Sequence, residues 1–261
     1  MAECIRDTLF PLHMFCRGID GSRENGEACL ILLNSNLYGM ETWLKNCWNL
    51  FSVVACADGG SNTLFDCVEP DRHKYVPNVI CGDLDSARPE VLSYYKERGS
   101  DVVHITDQDS TDFSKTLNHL LLLREQGMLK FSAVYVINAL WGRFDQTMGN
   151  IGVLFNTSCH LLPLYLMSED SLLFLLKPGS SCITVDSGLE EGHCGLVPVG
   201  GACSSCTTTG LTWNLGGEGM EMKGLISTSN IIDPSASQVT VACSDPLLWT
   251  MSHTLLQVSR N

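Results

Sequence analysis

Five short, nearly continuous apolar runs, separated by segments with helical spacing, constrain this chain most. They lie at 29–33, 53–56, 79–81, 102–105 and 134–137. Runs of this kind suit strands buried on both faces of a parallel sheet. Between them, Phe113, Leu117, Leu120 and Leu121 fall at i, i+4, i+7 and i+8, with Ser110 or Thr111 as N-cap and Gly127 as a stop. Phe144, Met148, Ile151 and Phe155 repeat the pattern and are expected in the core. The alternation predicts a doubly wound α/β domain with a mostly parallel sheet, ending near 156–160.

From Leu161 onward the pattern changes to short runs broken by glycine, serine and proline. Residues 238–243 alternate at period two, and 223–230 form a similar run. This half is expected to be an all-β sandwich or jelly roll. The predicted organisation is an N-terminal segment without an assigned role (1–26), an α/β domain (27–160) and a β domain (161–261). A chain of 261 residues has ample material for both cores.

In an open parallel sheet, ligands bind beyond the carboxyl ends of the strands. Four polar clusters stand at such ends: Asp58-Gly59-Gly60-Ser61-Asn62, Gly82-Asp83-Leu84-Asp85-Ser86, Asp107-Gln108-Asp109-Ser110-Thr111-Asp112 and Trp141-Gly142-Arg143-Phe144-Asp145-Gln146. Alternate side chains leaving a strand point the same way, so Asp83 and Asp85 are expected to converge. With Asp112 they supply hard oxygen ligands for magnesium. Gly59 and Gly60 permit close backbone approach to a phosphate or ribose, and Arg143 can meet phosphate oxygens as a fork. Each cluster alone has a plainer explanation: acidic or glycine turns, a surface Arg143–Asp145 ion pair, or Asp112 serving the helix dipole. Their alignment at four strand ends favours a metal–nucleotide site. Neither a P-loop nor a Gly-x-Gly-x-x-Gly fingerprint occurs.

Composition narrows the field. A net charge of −13 argues against nucleic acid or an anionic membrane as partner. Most of the thirteen cysteines sit in apolar runs, as reduced thiols of an intracellular protein do. Cys203-Ser204-Ser205-Cys206 lacks a second pair at zinc spacing and reads as a loop coincidence. The N-terminal apolar stretch is short and interrupted by Pro11, a poor signal peptide, so a cytoplasmic location is expected.

The four clusters, in order and spacing, resemble the thiamine pyrophosphokinase family. In the second half, residues 194–200, 207–215 and 225–230 resemble its animal form, and the likeness runs from about Cys29 to Met251. The resemblance implies an α/β catalytic domain, a C-terminal β-sandwich, and a homodimer whose sites lie between the α/β domain of one subunit and the β domain of the other. It implies transfer of pyrophosphate from ATP to thiamine, giving AMP and thiamine diphosphate, with magnesium. By motif position Asp83, Asp85 and Asp112 match metal ligands and form the catalytic set together with Arg143, which matches the nucleotide side. Asp58, Gly59, Asn62, Gln108, Thr111 and Asp145 match the nucleotide side. Trp213, Ser227, Ser229 and Asn230 match the thiamine side. Trp213 offers a flat face to a thiazolium or pyrimidine, and equally suits a core position.

Two departures stand out. Asn138-Ala139-Leu140-Trp141 replaces glycines that the family usually places before its Gly-Arg pair, and Ser110 stands where animal relatives often carry histidine. Two other functions share parts of this pattern. A glycosyltransferase also uses Asp-x-Asp with a divalent metal, and a non-catalytic nucleotide or thiamine sensor would keep the binding residues without turnover.

Overall fold

The structure, a computed structural model, describes residues 7–16, 27–37, 39–156 and 162–255. These residues form two compact units, 27–169 and 7–16 with 170–255. The described residues begin in the second unit, with strand β1 (Asp7–Leu9) and one helical turn, α1 (His13–Cys16).

The α/β unit then runs through β2 (Ala28–Leu32), α2 (Glu41–Cys47), β3 (Val53–Ala57), α3 (Gly60–Cys67), β4 (Val79–Gly82) and α4 (Pro89–Lys96). It continues with β5 (Asp101–His104), α5 (Asp112–Glu125), β6 (Ala133–Ile137), α6 (Phe144–Leu154) and β7 (Leu164–Met167). Its strands lie in the order β7-β6-β2-β3-β4-β5, and every neighbouring pair is parallel. All residues of β2, β3 and β4 are buried, which is why those runs lack polar alternation. From β2 the chain steps outward to β5, then returns to β6 on the opposite side of β2. The sheet therefore has its topological switch point between β2 and β6, where a crevice opens at the strand ends.

Helix α5 follows its predicted pattern. Thr111 is the N-cap, its hydroxyl accepting from the Ser114 N–H, and Phe113, Leu117, Leu120 and Leu121 are buried. Helix α6 departs from expectation. Ile151 is buried, but Phe144 is 76% exposed and Met148 is also exposed. Burial in this helix begins only at Asn150, because its first turns border the crevice rather than the core.

The expected boundary near 156–160 falls mostly on residues outside those described. The following segment, 164–167, is not the first strand of the β domain. It pairs parallel with β6 through Val134↔Leu164 to Ile137↔Met167, extending the α/β unit to residue 169. All four residues of this strand are buried.

The β unit contains β8 (Ser171–Leu176), β9 (Gly179–Thr184), β10 (Glu190–Val197), β11 (Cys203–Thr209), β12 (Gly216–Met220), β13 (Ser227–Ile231), β14 (Gln238–Cys243) and β15 (Leu247–His253). Within it, β13-β10-β15-β8 are joined as antiparallel neighbours, and β1-β9-β14-β11-β12 form a second sheet. Leu172, Phe174 and Leu176 on β8, and Val239, Val241 and Cys243 on β14, are buried at every second position. Each sheet thus has one apolar face to cover. Strand β1 pairs parallel with β9, so residues 7–16 belong to this unit; the rest of the 1–26 segment lies outside the described residues. Cys203 and Cys206 lie within β11 and are buried, so the Cys-x-x-Cys is a strand segment and not a loop. The described cysteines are free thiols. No helix among the described residues is long and apolar enough to cross a membrane.

Candidate active site

The residue after β3, Asp58, is buried and adopts a left-handed backbone (φ 43°). Its carboxylate accepts from the Ser86 N–H at 3.1 Å and the Ala87 N–H at 3.0 Å. Burial pushes its pKa up, against the pull of the Ser86 hydrogen bond. Asn62, on α3, grips the same loop. Its Oδ1 accepts from the Arg88 N–H at 2.9 Å and its Nδ2 donates to the Ser86 carbonyl at 2.8 Å. Both residues therefore brace the loop after β4, a role that motif matching to the nucleotide side does not convey.

Strand β4 ends at Gly82, where a side chain has no room. A Cβ there would stand 2.9 Å from the Asp58 Cβ and 3.0 Å from the Asp112 Oδ1. That close approach lets Asp58, Asp83 and Asp112 each bring one carboxylate oxygen within 4.8 Å of the others. Asp112 opens α5, and its Oδ1 accepts from the Asp83 N–H at 3.3 Å. The expected partner Asp85 is not in this trio. It is exposed and accepts from the Ser86 hydroxyl at 2.9 Å. The intervening Leu84 is left-handed (φ 61°), so the extended alternation that would align Asp83 with Asp85 is broken.

Sequence reasoning missed Lys115. Its Nζ lies 2.9 Å from Asp83 Oδ2 and 3.2 Å from Asp112 Oδ1, and its side chain is 3% exposed. The signal was available: a lysine one turn after Asp112, among the apolar positions of a helix facing the sheet. The hydrogen bond from Lys115 holds the Asp83 carboxyl below the usual range. Burial pulls the Lys115 ammonium down, but its hydrogen bonds to Asp83 and Asp112 outweigh that and raise it.

Beside the trio, at the switch point, opens a cleft of about 410 Å³ whose lining includes Ser35, Asp112, Asn138, Trp141, Arg143 and Gln146. Asn138 takes the place of a permissive glycine. It is left-handed (φ 65°), a conformation asparagine tolerates, and its Nδ2 donates to the carbonyls of Leu33 (3.3 Å) and Ser35 (2.8 Å). The departure from glycine is thus accommodated, and it ties the loop after β6 to the loop after β2. Arg143 and Asp145 form an exposed two-pronged ion pair. Thr111 lines the cleft and caps α5, Gln108 is exposed on the preceding loop, and Gly59 is buried at the start of α3.

In the β unit, Trp213 is 60% exposed, which removes the core alternative. Its position is fixed through its backbone. The buried Asn230 accepts from the Trp213 N–H at 3.3 Å and donates to the Trp213 carbonyl at 2.9 Å and to the Ser227 hydroxyl at 3.2 Å. Ser229 is exposed and left-handed (φ 57°).

The carboxylate trio suits a hard divalent cation: three oxygen donors, converged, with carboxylate lone pairs to spare. Next to a polar cleft, it would hold a metal that carries phosphate oxygens.

Comparison with known proteins finds relatives that span both units. Residues 44–166 match the thiamin pyrophosphokinase catalytic domain, and 180–248 match the thiamin pyrophosphokinase vitamin B1 binding domain. Thiamine pyrophosphokinase 3 of rice is 39% identical over 85% of this chain and 86% of its own length. Thiamine pyrophosphokinase 1 of Arabidopsis thaliana is 35% identical over 94% of both chains. The fold is similar to the crystal structure of yeast thiamin pyrophosphokinase, with a TM-score of 0.84 and 24% identity over 99% of this chain and 95% of that one. Matches over both units, at these identities, place the chain in the thiamine pyrophosphokinase family.

Proposed function

We infer that this enzyme transfers the pyrophosphoryl group of ATP to the hydroxyl of thiamine, releasing AMP and thiamine diphosphate. The observation that carries the reading is the carboxylate trio at the edge of the switch-point cleft, in a chain whose two units match the two domains of one family. The new bond joins the thiamine oxygen to the β-phosphorus. The bond from that phosphorus to the bridging α–β oxygen breaks, and AMP leaves with that oxygen. The hydroxyl proton passes to a carboxylate of the 83–85 loop or of Asp112.

Such transfer depends on alignment and charge neutralisation. Asp83 and Asp112 would hold magnesium, with Asp58 behind them and Asp85 available from the loop. The ion supplies Lewis-acid neutralisation of phosphate charge. Arg143, once released from Asp145, offers its fork to phosphate oxygens, while Gln108 and Thr111 border the nucleotide. Trp213 presents its ring to the cationic thiamine, beside Ser227, Ser229 and Asn230. The α/β unit carries the acidic centre and the β unit the exposed platform, which supports a homodimer sharing its sites between subunits. The expected location is cytoplasmic, and the motifs at 194–230 are what the animal-type reading rests on.

Chromatography of a reaction containing ATP, magnesium and thiamine tests the assignment. Equimolar AMP and thiamine diphosphate, absent without thiamine, are expected. Stoichiometric ADP, or turnover only of a sugar nucleotide, would overturn it.

A further inference from the structure

We propose that Lys115 is the built-in counter-ion of the carboxylate trio, a positioning residue that limits the centre to a single divalent cation. The proposal rests on the metal-dependent reading above and extends it to a residue which that reading does not use.

Lys115 is placed by the helix it shares with Asp112, three residues apart, so its reach to the trio is set by backbone geometry. Its ammonium touches Asp83 Oδ2 and Asp112 Oδ1 at once, with the side chain almost wholly buried. Among the described ion pairs, it is the cation that meets these carboxylates. Asp112 Oδ1 also accepts from the Asp83 N–H, so lysine, carboxylate and strand end are locked together.

The charge balance follows. Three carboxylates and one ammonium carry two formal negative charges, which one divalent ion cancels. Without the ammonium, one negative charge would remain after the first ion binds and would attract a second. The carboxylates would also lose the cation that offsets their mutual repulsion within 4.8 Å. A purely structural ion pair makes the opposite prediction: its removal should loosen the site and weaken metal binding along with activity.

Mn²⁺ binding measured by calorimetry and by the electron paramagnetic resonance of free Mn²⁺, without nucleotide, separates the two. The wild type should take one Mn²⁺ per chain. Lys115→Met should bind the first ion about tenfold more tightly and take up a second. Its kcat should fall roughly 100-fold, with the KM for thiamine within about twofold. Lys115→Arg keeps the charge and should restore a stoichiometry of one and part of kcat. Unchanged or weaker Mn²⁺ affinity in a folded Lys115→Met protein, with one ion per chain, overturns the proposal. If that variant does not fold, Lys115→Arg decides: affinity within about twofold of wild type supports the proposal, and a change beyond about tenfold overturns it. Wild-type protein that forms AMP yet binds no Mn²⁺ would instead overturn the metal reading itself.

Discussion

The two units hold their candidate site groups in place by different means. In the α/β unit, Asp83 and Asp112 are fixed by charge, through a buried ammonium, at a strand end too crowded for any side chain at Gly82. In the β unit, the exposed ring of Trp213 is fixed through its main chain, by the neutral amide of Asn230. Chemistry on phosphate needs charges at defined distances, and the buried end of an inner strand can bear the cost of packing them together. A flat organic cation needs only a face in the right place, which backbone hydrogen bonds supply without burying the ring.

The largest effect should come from the charged side of this comparison. Asp83→Asn is expected to reduce turnover at limiting magnesium by at least about 100-fold while the far-ultraviolet circular dichroism stays unchanged. Asp85→Asn should cost less, roughly tenfold, because Asp85 is exposed and outside the trio, beyond the left-handed Leu84. Equal losses in the two variants would show that the turn at Leu84 reverses when substrates bind.

The neutral side should respond through binding. Trp213→Ala is expected to raise the KM for thiamine about tenfold and that for ATP by less than about twofold. Mixing Asp83→Asn with Trp213→Ala protein sharpens the comparison further. Random subunit exchange should restore about a quarter of wild-type sites if each site draws on both subunits. Exchange without any return of activity would mean that each subunit builds its own site.

A smaller effect is expected at the clamp. Asn230→Ala removes a buried amide and leaves the Trp213 backbone groups unpaired, so stability should fall by about 1–3 kcal/mol. The KM for thiamine should rise only severalfold, since the ring itself remains. A denaturation midpoint matching wild type would contradict the clamp.

The smallest effect is a pH dependence confined to the charged side. Asp83 has a lowered pKa in the folded protein, so its contribution is present above the unfolded value of about 3.9 and is lost as pH falls through the folded value. Lys115 has a raised pKa, so its contribution is complete below about 10.4 and is lost as pH rises through the folded value. Between those limits the pair should contribute a constant amount. Urea midpoints at pH 6 and pH 3 should therefore differ more for wild type than for Lys115→Met, whereas the stability deficit of Asn230→Ala should be the same at both. Identical pH differences in wild type and Lys115→Met would remove the ion pair from the account.

Much of this was legible in one dimension because it depends on local repetition. Continuous apolar runs announced parallel strands, although β5, at the end of the sheet, has no buried residue; a hydroxyl at Ser110 or Thr111 announced the cap that Thr111 makes, and period-two alternation announced β14. Errors arose where the surroundings decide. Phe144 and Met148 share a helical face with Ile151, yet only the later part of that helix reaches the core. Strand β7 looked like the start of the β half because nothing in four apolar residues says which sheet they join. Asp58 and Asn62 carried the motif, but their polar atoms also hold the backbone at 86–88, which the motif does not reveal.

The sequence by itself determined the alternation of elements, the four polar strand ends and the family. Each follows from residue type and spacing, which the chain carries unchanged into the fold. Tertiary structure alone decided which carboxylates meet. A left-handed turn at Leu84 excludes Asp85, while the packing of Gly82 admits Asp58. It also decided that a lysine 32 residues away from Asp83 would neutralise it. Convergence in space depends on backbone direction at single residues and on contacts between distant segments, and neither is written in the local period of the chain.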